Sequence, residues 1–264
     1  MIHKTAIIEE GAVIGNNVTI GPYSIVGKDA VIGDGTVLSS NVLIEGWTTL
    51  GKGCQIGSGA KVGGPPQDFK YKGEKSFVVI GDGTIIREYV TVHRSSKEGG
   101  TTRVGSGSML MAYSHIAHDC SIGNNVVITN YAGLSGHVTV EDRAIISGFV
   151  GIHQFCRIGK LALVRGFSGI SKDVAPFTIV WGITTVPYGL NLVGLKRSGV
   201  STAGIKELKN VYRIFFQAGL TNEEALSKIE KEVEQTEEVK HFVEFVKSSK
   251  RGVCKKEKEE GDVF

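Results

Sequence analysis

Aliphatic residues recur at every sixth position over most of this chain. The series begins at Ile14 and runs without a break to Val62, returns in the same phase at residues 80–92, and runs again over residues 104–170. A period of six matches neither the 3.6-residue turn of a helix nor a heptad, so a helix would scatter these side chains around its circumference. The period instead fits short extended segments that each end in a turn.

Two neighbouring positions follow the same period. The residue after the aliphatic one is often glycine, which we expect to supply turn angles that other residues resist, and the residue two before it is usually small. Three such segments make a triangular coil, and coils stack about 4.8 Å apart by parallel strand pairing. The pattern therefore predicts a mainly β fold, a parallel β-helix. The alternative is a β-sandwich, but sandwich strands keep no fixed six-residue phase.

The phase also divides the chain. It lapses over residues 64–78 and 93–103, which are polar and contain turn formers, so we predict two loop insertions that carry function. Residues 1–186 form the predicted β-helix. Residues 187–248 are predicted to be helical, with Ser201 capping one helix, Thr221 and Glu224 forming a capping box for a second, and a third near residues 239–246. We expect residues 249–264 to be a charged, flexible tail.

Composition excludes several classes of protein. The 264 residues include 36 Gly but only 5 Pro, which excludes collagen, and 41% are hydrophobic, which excludes a disordered chain. A net charge of +3 gives no case for nucleic acid, and without an 18-residue apolar run we expect no membrane span. The N-terminus lacks a secretory signal, and the cysteines are widely spaced, so we expect a cytoplasmic protein with reduced thiols. The cysteines are Cys54, Cys120, Cys156 and Cys254.

Four histidines fall within one stretch: His115, His118, His137 and His153. The separations of 19 and 16 residues between the last three bracket one 18-residue coil, so these side chains should lie near one another on successive coils. Three interpretations are open: hydrogen-bonded histidines at an interface between copies, a zinc site, and a general base. The spacing differs from that of zinc-binding β-helix proteins of the carbonic-anhydrase type, so we expect no metal. Asp119 adjoins His118, and a carboxylate can orient an imidazole and stabilise its charged form.

Several strings resemble one known family. They are HIAHDC (115–120), HQFC (153–156), PQDFKYKGE (66–74) and NLVGLKR (191–197), together with the Gly136–His137 pair. The family is that of the UDP-N-acetylglucosamine O-acyltransferases, which start lipid A synthesis. The resemblance implies a homotrimer of left-handed parallel β-helices, each followed by a C-terminal helical domain, with active sites between subunits. It also implies transfer of an (R)-3-hydroxyacyl group from acyl carrier protein to the 3-hydroxyl of UDP-N-acetylglucosamine, without a cofactor.

The same resemblance assigns roles to residues. His118 would be the general base, Asp119 would hold it in position, and the Gly136 N–H would donate to the oxyanion. Gly166 would limit the length of the acyl chain, and its lack of a side chain is compatible with a long one. The residues implied in substrate binding are Gln67, Asp68, Lys70, His115, His137, His153, Gln154, Asn191 and Arg197.

Two departures from the family pattern weaken part of this assignment. Val193 and Ser198 stand where the family often carries an acidic residue and a second arginine, so Arg197 would do more of the nucleotide binding. A basic set could attract the acidic carrier protein, or could simply be solvated surface. This set is Arg157, Lys160, Arg165 and Lys172.

Three other functions remain to be weighed. The related N-acyltransferase of the same pathway carries an additional N-terminal uridine-binding domain, whereas the repeats here begin near Ile2. A 3-amino analogue of the sugar nucleotide, acylated on nitrogen by the same site, agrees with the sequence equally well. A purely structural solenoid is the alternative from another class, but a scaffold needs neither clustered histidines nor two functional loops.

Overall fold

The computed structural model describes residues 1–256, and most of that chain is wound into short strands. In chain order the strands are β1 (Ile7–Ile8), β2 (Val13–Ile14), β3 (Thr19–Ile20), β4 (Ile25–Val26), β5 (Val31–Ile32), β6 (Val37–Leu38), β7 (Leu43–Ile44), β8 (Thr48–Leu50), β9 (Gln55–Ile56), β10 (Lys61–Gly64), β11 (Phe77–Ile80), β12 (Ile85–Ile86), β13 (Thr91–His93), β14 (Thr101–Val104), β15 (Met109–Leu110), β16 (His115–Ile116), β17 (Ser121–Ile122), β18 (Val127–Ile128), β19 (Gly133–Leu134), β20 (Thr139–Val140), β21 (Ile145–Ile146), β22 (Gly151–Ile152), β23 (Arg157–Ile158), β24 (Leu163–Val164), β25 (Gly169–Ile170), β26 (Thr178–Trp181) and β27 (Val186–Leu190).

Every third strand joins the same sheet, so three parallel sheets form the faces of a triangular prism. The orders are β1-β4-β7-β10-β13-β16-β19-β22-β25, β2-β5-β8-β11-β14-β17-β20-β23, and β3-β6-β9-β12-β15-β18-β21-β24-β26 with β27 added antiparallel at the end. The predicted left-handed parallel β-helix, followed by a helical part, is confirmed. The prediction that the aliphatic residue at every sixth position points inward is also confirmed, because this series supplies the buried residue of nearly every strand.

The core of the prism is a column of aliphatic side chains closed by small residues. Ile44, Ile86 and Ile128 are fully buried, as are the small residues two positions before the aliphatic ones in most coils. Hydroxyls among those small residues bond to the backbone of the next coil, as when Thr36 Oγ1 donates to the carbonyl oxygen of Gly51 at 2.8 Å. Where this bond forms, a small polar residue fits in the core because its hydroxyl is satisfied, whereas the buried hydroxyls of Thr48 and Ser114 have no partner within residues 1–256.

The repeated glycines have a different role from the one the sequence suggested. The glycine after the aliphatic residue has, in most coils, an ordinary backbone conformation, and it is required by close packing: a Cβ on Gly33 would lie 2.5 Å from the carbonyl carbon of Gly51. The left-handed turn angle falls two residues later, where Asn17 and Tyr23 have φ of 55° and 58°. Coil stacking, rather than turn geometry, explains the glycines.

Two loops leave the coils, at residues 65–76 and 94–100. The ends of the predicted insertions, at 64, 77–78, 93 and 101–103, belong to strands. The loops bind each other: the Gly99 N–H donates to the Lys75 carbonyl oxygen at 2.8 Å, and the Arg94 guanidinium donates to the Tyr71 hydroxyl. They therefore form one structural unit on the side of the prism.

The chain then forms α1 (Leu192–Arg197), α2 (Thr202–Tyr212), a π-helical segment (Arg213–Gln217), α3 (Asn222–Glu232) and α4 (Glu237–Lys247). Ser201 caps α2, and Thr221 with Glu224 forms the capping box of α3, as predicted. The sequence prediction missed α1, the π-helical segment and β27, and the expected boundary at residue 186 falls inside β27. No helix within residues 1–256 is long and apolar enough to cross a membrane.

The predicted tail begins later than expected. Val253 bridges Asp173 in parallel, the Cys254 N–H donates to the Asp173 carbonyl oxygen at 2.8 Å, and both side chains are buried. Residues 249–254 are thus part of the fold and close the last coil, which corrects the prediction of a flexible tail for this stretch. Residues 257–264 lie outside the described part of the chain. All four cysteines are free and buried.

Candidate active site

A cleft of about 650 Å³ lies on the face formed by β16, β19, β22 and β25. It runs along the prism axis across four coils. Three of the four predicted histidines line it, and the fourth, His137, lies beside it with its ring centroid 5.2 Å from that of His118. The lining residues are Gln67, His115, Ala117, His118, Gly133, Leu134, Ser135, Gly136, Gly151, Ile152, His153, Gln154, Gly169, Ile170, Ser171 and Ile183.

His118 and Asp119 form a hydrogen-bonded pair at the wall of this cleft. Nδ1 of His118 lies 2.8 Å from Oδ2 of Asp119, and His118 is buried. Because a carboxylate only accepts hydrogen bonds, Nδ1 carries the proton of the neutral ring and Nε2 is left as a proton acceptor. Within residues 1–256 no hydrogen bond to Nε2 is present, so this nitrogen is available to a ligand in the cleft.

The Asp119 carboxylate is held in its charged form. Burial alone would raise its pKa, but hydrogen bonds from Ser95, from His118 and from the N–H and hydroxyl of Ser96 outweigh burial and hold the pKa well below its usual range. The Asp119 N–H donates to Thr102 Oγ1 at 2.8 Å, which fixes the backbone at φ 62°. Asp119 is thus a fixed negative charge that orients His118.

Gly136 lies against the face of the His118 ring. A Cβ at this position would be 2.5 Å from His118 Cε1 and 2.7 Å from Nε2, so only glycine lets the ring take its place. Within the described chain the Gly136 N–H has no hydrogen-bond acceptor, while its carbonyl oxygen accepts from the Phe155 N–H. A free backbone N–H beside the Nε2 acceptor is the arrangement that stabilises an oxyanion during acyl transfer.

The other histidines near the pair are biased toward their neutral forms. Burial lowers the pKa of His115, and the charge of a protonated His118 would lower it further. Burial also lowers the pKa of His137, against the opposing effect of the Asp119 carboxylate. His93, which the sequence prediction missed, packs edge-on against His115, and burial lowers its pKa to about 4.

The predicted substrate-binding residues of the first loop reach the cleft to different degrees. Gln67 lines it, and the Asp68 carboxylate is close enough to raise the pKa of His137. The Asp68 side chain accepts from the Lys70 N–H at 2.9 Å, and Lys70 itself is exposed. His153 and Gln154 line the cleft one coil below Gly136 and are exposed. These residues can offer hydrogen-bond donors and acceptors to a polar ligand.

Three further predicted residues, Asn191, Arg197 and Gly166, also do not line the cleft of their own chain. Asn191 is buried as the cap of α1: its Nδ2 donates to the Leu161 carbonyl oxygen, and its Oδ1 accepts from the Gly194 N–H. The role that the structure shows for Asn191 is therefore structural. Arg197 is exposed in the last turn of α1, and Gly166 lies at another corner, stacked on Gly148.

The residues of the predicted basic set differ in whether they are already engaged within the chain. Arg157 is engaged within the chain, with its guanidinium 4.0 Å from the ring centroid of Phe245 and hydrogen-bonded to the Ser248 hydroxyl. It fastens α4 to the β-helix. Arg165 lies over Trp181 and Tyr188 and remains exposed, as does Lys160.

His118, Asp119 and His137 are the one group in the described chain with three potential metal ligands, and the relevant atoms lie within 4.8 Å of one another. However, two ligands on a tetrahedral zinc ion stand about 3.3 Å apart, whereas His118 Nδ1 and Asp119 Oδ2 are in hydrogen-bond contact at 2.8 Å. The serine donors to Asp119 occupy the remaining carboxylate positions. The geometry is that of an oriented acid–base pair.

Two features of the site escaped the sequence analysis. The donors to Asp119 come from Ser95 and Ser96 in the second loop, whose conformation the repeat does not specify. The floor of the cleft is a row of outward-facing glycines, Gly133, Gly151 and Gly169, paired in register on successive strands. Their spacing of 18 residues is visible in the sequence and could have revealed the row.

The fold and the site define a class of protein, the hexapeptide-repeat transferases. The family model for six repeats of the bacterial transferase hexapeptide matches residues 11–46, 29–64 and 101–136. A second model, described as UDP-N-acetylglucosamine O-acyltransferase domain 2, matches residues 173–254.

Similar full-length proteins narrow the class further. The acyl-[acyl-carrier-protein]–UDP-N-acetylglucosamine O-acyltransferase of Thermodesulfovibrio yellowstonii is 51% identical over 255 residues, covering 96% of this chain and 99% of that protein. Among solved structures, the UDP-N-acetylglucosamine acyltransferase of Bacteroides fragilis superposes with a TM-score of 0.94 at 38% identity, covering 96% and 100% of the two chains. The UDP-N-acetylglucosamine acyltransferase of Francisella novicida superposes with a TM-score of 0.92 at 40% sequence identity, covering 97% of this chain and 94% of that one. This chain belongs to the UDP-N-acetylglucosamine O-acyltransferase family.

The partly buried His93 beside the site should make the stability of the protein depend on pH. The folded protein keeps His93 neutral down to about pH 4, whereas the unfolded chain takes up the proton near the ordinary pKa of 6.5. The unfolded state therefore binds more protons in this interval, and stability falls as the pH falls through it. Between neutral pH and about pH 5, we expect the melting temperature of His93→Gln to fall by less than that of the parent. The exposed His3→Gln is the matched control, and an equal loss in all three proteins would contradict the prediction.

Proposed function

We propose that this protein transfers an (R)-3-hydroxyacyl group from acyl carrier protein to the 3-hydroxyl of UDP-N-acetylglucosamine, the first step of lipid A biosynthesis. The observation that carries the proposal is the His118–Asp119 pair directly beside Gly136 in one cleft, where the Gly136 N–H has no acceptor within residues 1–256, in a chain of this family. The carrier protein and the nucleotide sugar are substrates of the cytoplasm, and we place the enzyme there.

The reaction begins with removal of a proton from the acceptor. A sugar hydroxyl is a poor nucleophile until its proton is taken, and His118 Nε2 is the acceptor nitrogen that the Asp119 hydrogen bond leaves free. As the hydroxyl oxygen attacks the thioester carbonyl carbon, the proton moves to Nε2. Asp119 stabilises the resulting imidazolium. General-base catalysis of this kind contributes roughly 10²–10⁴-fold to a rate.

The tetrahedral intermediate places its negative charge on the former carbonyl oxygen. In our proposal the Gly136 N–H donates to that oxygen. The intermediate collapses by breaking the carbon–sulfur bond, and the proton held on Nε2 passes to the departing thiolate of the carrier. The products are the 3-O-acyl sugar nucleotide and the free thiol, so the base is regenerated and no cofactor takes part.

Binding of the sugar nucleotide is assigned to the end of the cleft at which Gln67 and His115 lie. Gln67, Asp68 and Lys70 of the first loop would hold the sugar with His115 and His137, and His153 with Gln154 would contact it from below. Arg197 is exposed and does not line the cleft of its own chain, and it would serve the cleft of a neighbouring copy. The carrier protein would be drawn by the exposed Lys160 and Arg165, with Lys172, while Arg157 is already engaged.

A homotrimer is supported by an exposed ladder of aromatic rings along one corner of the prism. Consecutive rings stack with centroids 5.0–5.1 Å apart, and each ring is about half exposed or more. An apolar surface of this length on a single chain indicates contact with another protein surface, here further copies of the chain. The ladder consists of Tyr89, Tyr113, Tyr131, Phe149 and Phe167.

The acyl chain is assigned to the row of glycines. Within residues 1–256, and apart from the adjacent residues of the chain, nothing lies within 4 Å of the position of a Cβ on Gly133 or Gly151, so these residues leave an open floor that continues for two coils, about 10 Å. Ile183 stands at the lower end, next to Gly169. Gly166 lies at another corner and could contribute to the groove only from a neighbouring copy.

The product of the reaction tests the proposed function. Incubated with UDP-N-acetylglucosamine and (R)-3-hydroxyacyl carrier protein, the parent should give a sugar nucleotide heavier by one acyl group, with an ester that hydroxylamine cleaves. His118→Ala should lower the rate at least a hundredfold while its melting temperature stays close to that of the parent. The measurement is mass spectrometry of the nucleotide. An amide product formed only from a 3-amino sugar would replace the proposed acceptor, and full activity of His118→Ala would remove the base.

Chain-length preference tests the glycine row. Gly151→Val would place a branched side chain in the middle of the groove, so we expect the preferred acyl chain to become shorter. Ile183→Ala removes the side chain at the end of the groove and should favour longer chains. Competition among a homologous series of acyl carrier proteins, read by mass spectrometry, measures both changes. An unchanged preference in Gly151→Val, with a change in Gly166→Val, would place the acyl chain elsewhere.

A further inference from the structure

We propose that Ser95 and Ser96 of the second loop are positioning residues for catalysis, which act by fixing the orientation of the Asp119 carboxylate. This inference rests on the proposed function, because it assigns a role within the same reaction. It concerns two residues that no repeat or family motif points to.

Both carboxylate oxygens of Asp119 are engaged by this serine pair. The Ser95 hydroxyl donates to Oδ1. The Ser96 hydroxyl donates to Oδ2 at 2.8 Å and the Ser96 N–H at 3.1 Å, and His118 Nδ1 shares the same oxygen at 2.8 Å. His137 Nε2 stands 3.7 Å from Oδ2. Hydrogen bonds to an ionised carboxylate are among the stronger ones in proteins.

The second loop is constructed so that Ser95 keeps this position. Ser95 is fully buried, its Oγ accepts from the Lys97 N–H at 3.1 Å, and its carbonyl oxygen accepts from the Ser76 hydroxyl. Gly100 packs directly on the hydroxyl, and a Cβ there would overlap Ser95 Oγ. A hydroxyl that accepts one bond and is enclosed on its other sides can direct its proton only to Asp119.

The consequence for catalysis is geometric. A carboxylate attached through one flexible bond can turn, and the His118 ring would then lose its partner or rotate with it. With Oδ1 held by Ser95 and Oδ2 by Ser96, the carboxylate plane is fixed and Oδ2 faces Nδ1. The ring in turn keeps Nε2 toward the cleft beside Gly136. A small loss of this orientation lowers the rate of the chemical step strongly and changes the affinity for the substrate much less.

A merely structural role for these serines would have a different signature. In that case their loss would loosen the loop whether or not Asp119 carries a charge. If they act through Asp119, their contribution disappears once the carboxylate has been removed. A double-mutant cycle separates the two cases because residues that act through one another are not additive.

The experiment measures kcat and KM for UDP-N-acetylglucosamine in Ser95→Ala, Ser96→Ala and Asp119→Ala, and in each serine variant combined with Asp119→Ala. We expect each serine variant to lower kcat about tenfold, the loss of one hydrogen bond to a charged group, with KM nearly unchanged. In the Asp119→Ala background neither serine change should lower kcat further. Ser96→Thr, which keeps the hydroxyl, should retain most of the activity. The exposed Ser227→Ala on α3 is the matched control.

Two results would overturn the inference. One is parental kcat in both Ser95→Ala and Ser96→Ala. The other is an equal loss in the presence and absence of the Asp119 carboxylate, which would show that the serines act only on the loop. Since Ser95 is buried, Ser96→Ala and melting temperatures guard against a simple folding defect. An inactive parent would instead contradict the proposed function, so the two failures are distinguishable.

Discussion

The vertical register between coils is the constraint on which the rest of this structure depends. Parallel pairing sets residue i above residue i + 18 wherever no loop intervenes, and the inward aliphatic column prevents the coils from slipping. A shift of one residue would turn every core side chain outward. The same register therefore decides both stability and chemistry: it stacks His137 on the ring of Phe155 and aligns Gly133, Gly151 and Gly169 into one floor.

The loops turn this regular solenoid into an acyltransferase site. The coils place the histidines on one face and supply their first partners, Asp119 for His118 and Thr91 for His115. The second loop supplies the donors that hold Asp119, and Arg94 joins it to the first loop, which carries Gln67 and Asp68 to the cleft. The residues proposed to bind the sugar and the proposed general base are thus connected through the two loops.

The repeat made most of the fold predictable. Each core position follows from counting in sixes, and the proximity of His118, His137 and His153 follows from separations close to one coil. The position of Thr91, whose hydroxyl bonds to His115, could have been computed from the same phase across the second insertion. What counting cannot give is the path of an irregular loop, so Ser95 and Ser96 were missed. The glycines were also misassigned, because spacing alone does not distinguish a turn angle from close packing between coils.

The helical part shows the same limit. Caps at Ser201 and Thr221 were readable because they depend on residues three apart, whereas β27 depends on pairing with β26 and residues 249–254 depend on a contact with Asp173 far earlier in the chain. Asn191 was predicted to bind the nucleotide, and within one chain it is the buried cap of α1, an environment set by Leu161 on the β-helix that local sequence signals did not reveal. Local signals predicted local structure, and distant contacts decided the rest.

The most direct test of this account is an experimental structure of the enzyme with its acylated sugar nucleotide bound. We expect the ester oxygen on sugar carbon 3 within hydrogen-bond distance of His118 Nε2, the ester carbonyl oxygen at the Gly136 N–H, and the alkyl chain along Gly133 and Gly151. A product bound with its ester away from His118, or with its alkyl chain on another face of the prism, would contradict the account.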